Sequence, residues 1–140
     1  MSYWIDPRLK ADSLPIVDLD LCALRLMNDQ RFPWLLLIPR RVDIEEVLEL
    51  TGIDQQQLWD EVRQVAGMLQ SVYAPTKLNI AALGNQVRQL HVHVIARFSN
   101  DAAWPNPVWG LGKAEPYPEP APVIAKLQAA LNPGQVRGQD

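Results

Sequence analysis

Residues 89–95, Gln89-Leu90-His91-Val92-His93-Val94-Ile95, hold the only two histidines of the chain. If the segment is a strand, Gln89, His91 and His93 share one face and Leu90, Val92 and Val94 the other. Neighbouring members of the polar row then stand about 7 Å apart. Two imidazoles on one rigid element supply a neutral nucleophile or base beside a second group able to hold a proton near pH 7. Three readings are open on the residues alone. The first is nucleophilic catalysis: neutral imidazole attacks phosphorus well, provided its other ring nitrogen donates to an acceptor that fixes the tautomer. The second is a metal site, since H-x-H on a strand is a common ligand pair. It would have to recruit carboxylates, because there is no third histidine and Cys22 is distant in sequence. The third is structural, two partly exposed histidines that carry no chemistry.

Several elements must position this row. Residues 16–28 alternate in part, with Val17, Leu19 and Leu21 against Asp18 and Asp20, and predict one strand or two consecutive ones. Residues 28–31 (Asn-Asp-Gln-Arg) predict a turn. Trp34 to Ile38, bounded by Pro33 and Pro39, predicts a strand buried on both faces that completes an antiparallel hairpin. Asp43 with Glu46 has capping-box spacing and predicts a short helix through Leu50. Leu58, Val62, Val65, Leu69 and Val72 form an apolar stripe on a helix expected over about 55–73, capped at Asp54, which packs on the sheet or offers a dimer surface. Residues 77–83 and 87–98 predict two more strands around a turn at Gly84-Asn85. Six prolines between residues 104 and 122 exclude regular structure there, and Trp104 and Trp109 should hold that segment against the body or a partner subunit. A last helix is expected over 122–131, with Asn132-Pro133-Gly134 as its stop. Strands and helices without regular βαβ alternation make the expected class α+β, an antiparallel sheet of about five strands with helices on one face.

A chain of 140 residues fits a single domain, 1–140, with its core over 16–98, a Pro/Trp-rich segment over 99–121 and the helix over 122–131. A net charge of -3 gives no global electrostatic case for nucleic acid or an anionic membrane. One cysteine excludes an intrachain disulfide, and Cys22 is expected as a small buried side chain. With neither a signal-like N-terminus nor an apolar run of membrane-spanning length, the expected setting is cytoplasmic, without a membrane partner. Arg40, Arg41, Arg88 and Arg97 are expected as solvated charges.

Gly84-Asn85-Gln86-Val87-Arg88-Gln89-Leu90-His91-Val92-His93-Val94-Ile95 resembles the signature of the histidine triad family of nucleotidyl hydrolases and transferases: a glycine, usually a glutamine, then three histidines alternating with apolar residues. Gln89 stands where the first histidine is usual, and Asn85 where the glutamine is usual. The likeness extends over residues 16–98, with Asn79 ahead of the glycine loop and the hairpin from Leu21 to Pro39 similar to the family's nucleoside-binding hairpin. The resemblance implies that His91 attacks the α-phosphorus and forms a nucleotidyl-histidine intermediate. It implies that His93, with Gln89, supports the phosphate. It also implies that Asn28, Asn79, Gly84, Asn85 and Gln86 hold the nucleotide. The implied substrates are dinucleoside polyphosphates, nucleoside phosphoramidates or adenylates. The implied assembly is a homodimer, with no cofactor and no metal. Two departures stand out. Gln89 can exchange hydrogen bonds but cannot titrate, and Trp34 falls where many relatives carry a histidine. The alternative is a nucleotide-binding protein with little or no turnover.

Overall fold

The computed structural model describes residues 3–139, with side chains described through residue 131. A short helix α1 (Pro7–Asp12) opens the chain. Asp6 caps it by accepting from the Arg8 N–H at 2.8 Å, and Pro7 occupies the first turn, where a missing N–H costs nothing. Apolar periodicity does not mark this helix; the Asp6-Pro7 pair is its local start signal. The stretch read as one or two strands is two, β1 (Ser13–Asp18) and β2 (Cys22–Met27). They turn at residues 19–21, where the Leu19 N–H donates to the Cys22 carbonyl at 2.8 Å. The expected hairpin follows, β2 pairing with β3 (Trp34–Pro39).

The helix expected from Asp43 to Leu50 shrinks to one 3-10 turn, Val47–Glu49. Asp43 cannot cap it, because Asp43 itself adopts a left-handed φ of 55°. The capping box moves to Glu46 with Glu49. The long helix α2 (Gly52–Tyr73) starts earlier than the spacing suggested, with the Thr51 hydroxyl accepting from the Asp54 N–H at 3.1 Å. It ends in a left-handed Ala74 before Pro75, where helix geometry is disfavoured. Then come β4 (Lys77–Ala81), β5 (Val92–Arg97) and α3 (Pro120–Gln139). α3 carries past the expected stop at Asn132-Pro133-Gly134. β5 is half the length expected, because residues 82–91 form an irregular loop rather than a strand.

The five strands form one antiparallel sheet in the order β1-β2-β3-β5-β4. Its two faces are covered differently. On one face, Leu24, Leu26, Leu35, Leu37, Val92 and Val94 pack against α2 and α3. Leu58, Val62, Val65 and Leu69 are buried there, so the α2 stripe is core and not a dimer surface. Glu61, buried on the same helix, accepts from the Leu21 and Cys22 N–H groups at 2.8 Å each, and so ties α2 to the β1–β2 turn. Burial, with Glu61 alongside, pushes the Cys22 thiol up, as expected of an inert core cysteine. The other face carries Trp34, Leu36, His93 and Ile95. It is covered by α1 and by the irregular segment 99–117, through Leu9, Ala103 and Val108.

Candidate active site

His91, just ahead of β5, and His93, its second residue, have ring centroids 4.9 Å apart and planes at 66°. Both are largely buried, and both line an open cleft of about 580 Å³ on the sheet face opposite α2 and α3. Their hydrogen bonds assign different tautomers. His91 Nδ1 lies 2.7 Å from the Gln89 carbonyl oxygen, which can only accept. Nδ1 therefore carries the proton, and Nε2 is left with a bare lone pair. His93 Nδ1 lies 3.0 Å from the indole Nε1 of Trp34, which can only donate. His93 Nδ1 is therefore the acceptor, and its proton sits on Nε2. Burial lowers the His91 pKa against an opposing contribution from the Gln89 carbonyl. Burial, then the neighbouring His91, pushes His93 down to about 3. Both rings are neutral at pH 7, one presenting a nucleophilic nitrogen and the other an N–H donor.

The cleft walls come from three places. Gly84, Asn85 and Gln86 line one side, with Gly84 at φ 73°, a backbone geometry that favours glycine. Asn85 and Gln86 are exposed and free to meet a ligand. The β2–β3 turn lines the second side through Asn28, Asp29 and Arg31. The third is the strap of residues 108–117, which is laid over that turn by hydrogen bonds. The Asn28 side-chain oxygen accepts from the Tyr117 N–H at 2.9 Å, and the Gln30 N–H donates to the Glu115 carbonyl at 2.7 Å. Arg31 donates to the Leu111 carbonyl at 2.7 Å. Asp29, almost wholly buried, receives Arg31 at 2.8 Å and the Glu115 N–H at 3.3 Å. Trp109 stands on the strap, edge-on to His93 at 5.0 Å and to Trp34 at 6.0 Å. The sequence does not mark Asp29 and Arg31, because their strap partners, Glu115 and Leu111, lie 86 and 80 residues away. Trp109 carried a signal, an aromatic in a segment too proline-rich to be regular.

The structure thus brings His91, His93, Asn28, Gly84, Asn85 and Gln86 to one cleft. It does not bring Gln89 or Asn79 there. The strand alternation that would put Gln89 beside His91 fails because β5 begins only at Val92. The Gln89 amide instead accepts from the Asp6 N–H at 2.7 Å and donates to the Trp4 carbonyl at 2.9 Å. Asn79 lies on the histidine face, but its side-chain oxygen is taken by Arg97 at 2.9 Å. Arg97, expected as a solvated charge, is buried. It forks onto Asp101 at 2.7 and 3.0 Å, donates to the Asn106 carbonyl, and lies over the Phe32 and Trp104 rings. Burial alone would raise the Asp101 pKa, but Arg97 and three backbone N–H groups outweigh it and hold the carboxyl well below the usual range. That cluster builds the 98–109 loop carrying Trp104. Arg88 is exposed and pairs with Glu45, and Arg41 pairs with Asp54. Among the described residues no three His, Cys, Asp or Glu side chains gather as a metal set.

Comparisons with known proteins agree with this geometry. The family model described as "HIT domain" matches residues 8–100. A histidine triad (HIT) protein from Sinorhizobium meliloti 1021 is 53% identical, covering 92% of this chain and 97% of its own, with a TM-score of 0.89. A histidine triad protein from Bradyrhizobium japonicum is 42% identical over 94% of this chain and 99% of its own, with a TM-score of 0.90. Another, from Marinobacter aquaeolei VT8, is 40% identical over 95% and 98%, with a TM-score of 0.92. No curated protein gives a significant match.

Proposed function

The chain belongs to the HIT domain family, and from that premise we propose that it is a nucleotidyl hydrolase or transferase whose nucleophile is His91 Nε2. Family membership supports nucleotide binding with hydrolase or transferase activity in general terms. The observation that carries the finer reading is the His91 Nδ1–H bond to the Gln89 carbonyl, because it leaves the other ring nitrogen unprotonated in the cleft.

The chemistry follows from the two tautomers. His91 Nε2 gives its lone pair to the α-phosphorus. The bond to the departing oxygen or nitrogen breaks, and its electron pair leaves with the departing group, which takes a proton from water. The ring becomes positively charged, and the Gln89 carbonyl on Nδ1 steadies that charge. His93 Nε2–H and the amides of the Gly84-Asn85-Gln86 loop face the phosphate oxygens, where negative charge grows. Water then attacks phosphorus, the P–N bond breaks back onto Nε2, and the surplus proton passes to solvent. The cleft volume suits one nucleotide. Dinucleoside polyphosphates, phosphoramidates and adenylates all offer the required α-phosphate.

His91→Ala is expected to abolish turnover of such substrates while nucleotide binding by calorimetry persists, since binding is spread over loop, turn and strap. Rapid quenching with a radiolabelled adenylate should trap label on wild-type protein and none on the variant. Wild-type kcat in His91→Ala would place the nucleophile elsewhere. One observation favours a second reading, a nucleotide binder with little turnover. The Gln89 amide is turned away from the cleft and bonded at both ends, to Trp4 and Asp6, so no third polar side chain joins the histidines from that position. Failure to trap any label at saturating nucleotide would favour that reading.

A further inference from the structure

Gln89 sits where one residue serves two structures at once. Its side chain holds the N-terminal segment, accepting from the Asp6 N–H at 2.7 Å and donating to the Trp4 carbonyl at 2.9 Å. Its main-chain carbonyl accepts from His91 Nδ1 at 2.7 Å. No ladder bond fixes this stretch, because β5 begins at Val92. The peptide unit joining residues 89 and 90 is held at its other end by the Leu90 N–H, which donates to the Ile44 carbonyl at 2.9 Å. The carbonyl that sets the His91 tautomer therefore hangs between the loop at Ile44 and the segment at residues 4–6.

We infer that Gln89 is a positioning residue for His91, coupling the N-terminal segment to the tautomer of the nucleophilic ring. The inference rests on the nucleophile reading above for its kinetic consequence, but not for its structural one. Both hydrogen-bonding ends of the amide are used, so the clamp resists rotation about the side chain as well as withdrawal. With the clamp intact, the 89–90 peptide holds its carbonyl on Nδ1, and Nε2 stays bare in the cleft. With the clamp released, the peptide is anchored only through Leu90 and can swing. His91 then samples the other tautomer, in which Nε2 carries the proton and cannot attack.

The test separates the backbone N–H of residue 6 from its side chain. Asp6 has φ -51°, a value proline adopts. Asp6→Pro thus removes the N–H that Gln89 accepts, together with the carboxylate that caps α1. Asp6→Ala removes the carboxylate alone. Imidazole 15N NMR of the free, full-length protein reads the His91 tautomer directly. Wild type and Asp6→Ala should show Nδ1 protonated. Asp6→Pro and Gln89→Ala should both show a tautomer mixture, and the double variant no more than either. With adenosine 5′-phosphoramidate as substrate, both single variants should lower kcat roughly tenfold with KM little changed, the order of a modest loss of alignment. An unchanged His91 tautomer in Gln89→Ala and Asp6→Pro would reduce Gln89 to a tether for the N-terminus and overturn the coupling. If the wild type turns over no nucleotide, the nucleophile reading fails by itself, and the NMR comparison still decides the coupling.

Discussion

At the scale of single residues, Trp34 has the least expected role. The indole N–H cannot accept or leave, so it compels His93 Nδ1 to act as an acceptor. Trp34→Phe keeps an aromatic against Phe32 and Trp109 but removes that donor. His93 Nδ1 is then free to take a proton, and the His93 pKa should rise from about 3 toward its ordinary value. NMR titration checks this, and an unmoved His93 titration would show that burial and the neighbouring His91 govern the ring without the indole. The same depression has a thermodynamic side. In the unfolded chain His93 takes up a proton near pH 6.5, whereas the folded protein refuses it down to about 3. Within that window the unfolded state binds more protons, so stability falls as the pH drops from about 6.5 to about 3. Asp29 and Asp101 add to the loss at the acid end. Burial opposes ionisation of both carboxyls, but Arg31, Arg97 and backbone N–H groups prevail and hold them below the usual range. Urea unfolding at pH 7, 5 and 4 should show the decline, and His93→Gln should flatten the part above pH 4. An equally steep decline in that variant would assign it to other groups.

At the scale of elements, the strap is the part to test. Asp29 is the buried post to which Arg31 and Glu115 are fastened. Asp29→Ala leaves the Arg31 guanidinium and the Glu115 N–H without that partner, at a cost of about 3 kcal/mol in unfolding free energy. Nucleotide affinity should fall as well, because the strap is a wall of the cleft. A variant as stable as wild type in urea would mean that the strap is held without Asp29, by its bonds to Asn28 and Gln30 and its apolar contacts. What the sequence made legible divides along the same line. The β2–β3 hairpin, the α2 stripe and the strands around the glycine loop followed from periodicity and punctuation, because local patterns determine them. Arg97 obeyed strand parity, yet its burial depends on Asp101 and Asn106 in a segment with no period to read. Gln89 failed for the converse reason. Alternation holds only from Val92, three residues after Gln89, and one bend reverses the face of everything before it. Asn28 lines the cleft, but its bond to Tyr117 joins positions no sequence pattern relates.

At the scale of the whole molecule, no described helix is long and apolar enough to cross a membrane. A homodimer of twice 15.8 kDa is the assembly expected from the resemblance, and light scattering tests it. The α2 stripe is no longer available to such a contact. The outer side of α2, with Ile53 and Trp59, and the edge strand β4, with Ile80, still expose apolar surface. A concentration-independent mass of 15.8 kDa would remove the dimer. The unequal covering of the sheet has a further consequence. One face is sealed by helices whose side chains must fit by volume, so nearly every change there is felt in folding. The other is closed by a strap fastened largely through backbone groups, which many side chains can share. The exposed strap positions 111 and 113–116 can therefore vary in shape and charge, and with them the ligand admitted, while α2, α3 and the histidine-bearing strand keep their packing. The fold assigns heritable change in selectivity to one set of residues and tolerance of that change to another.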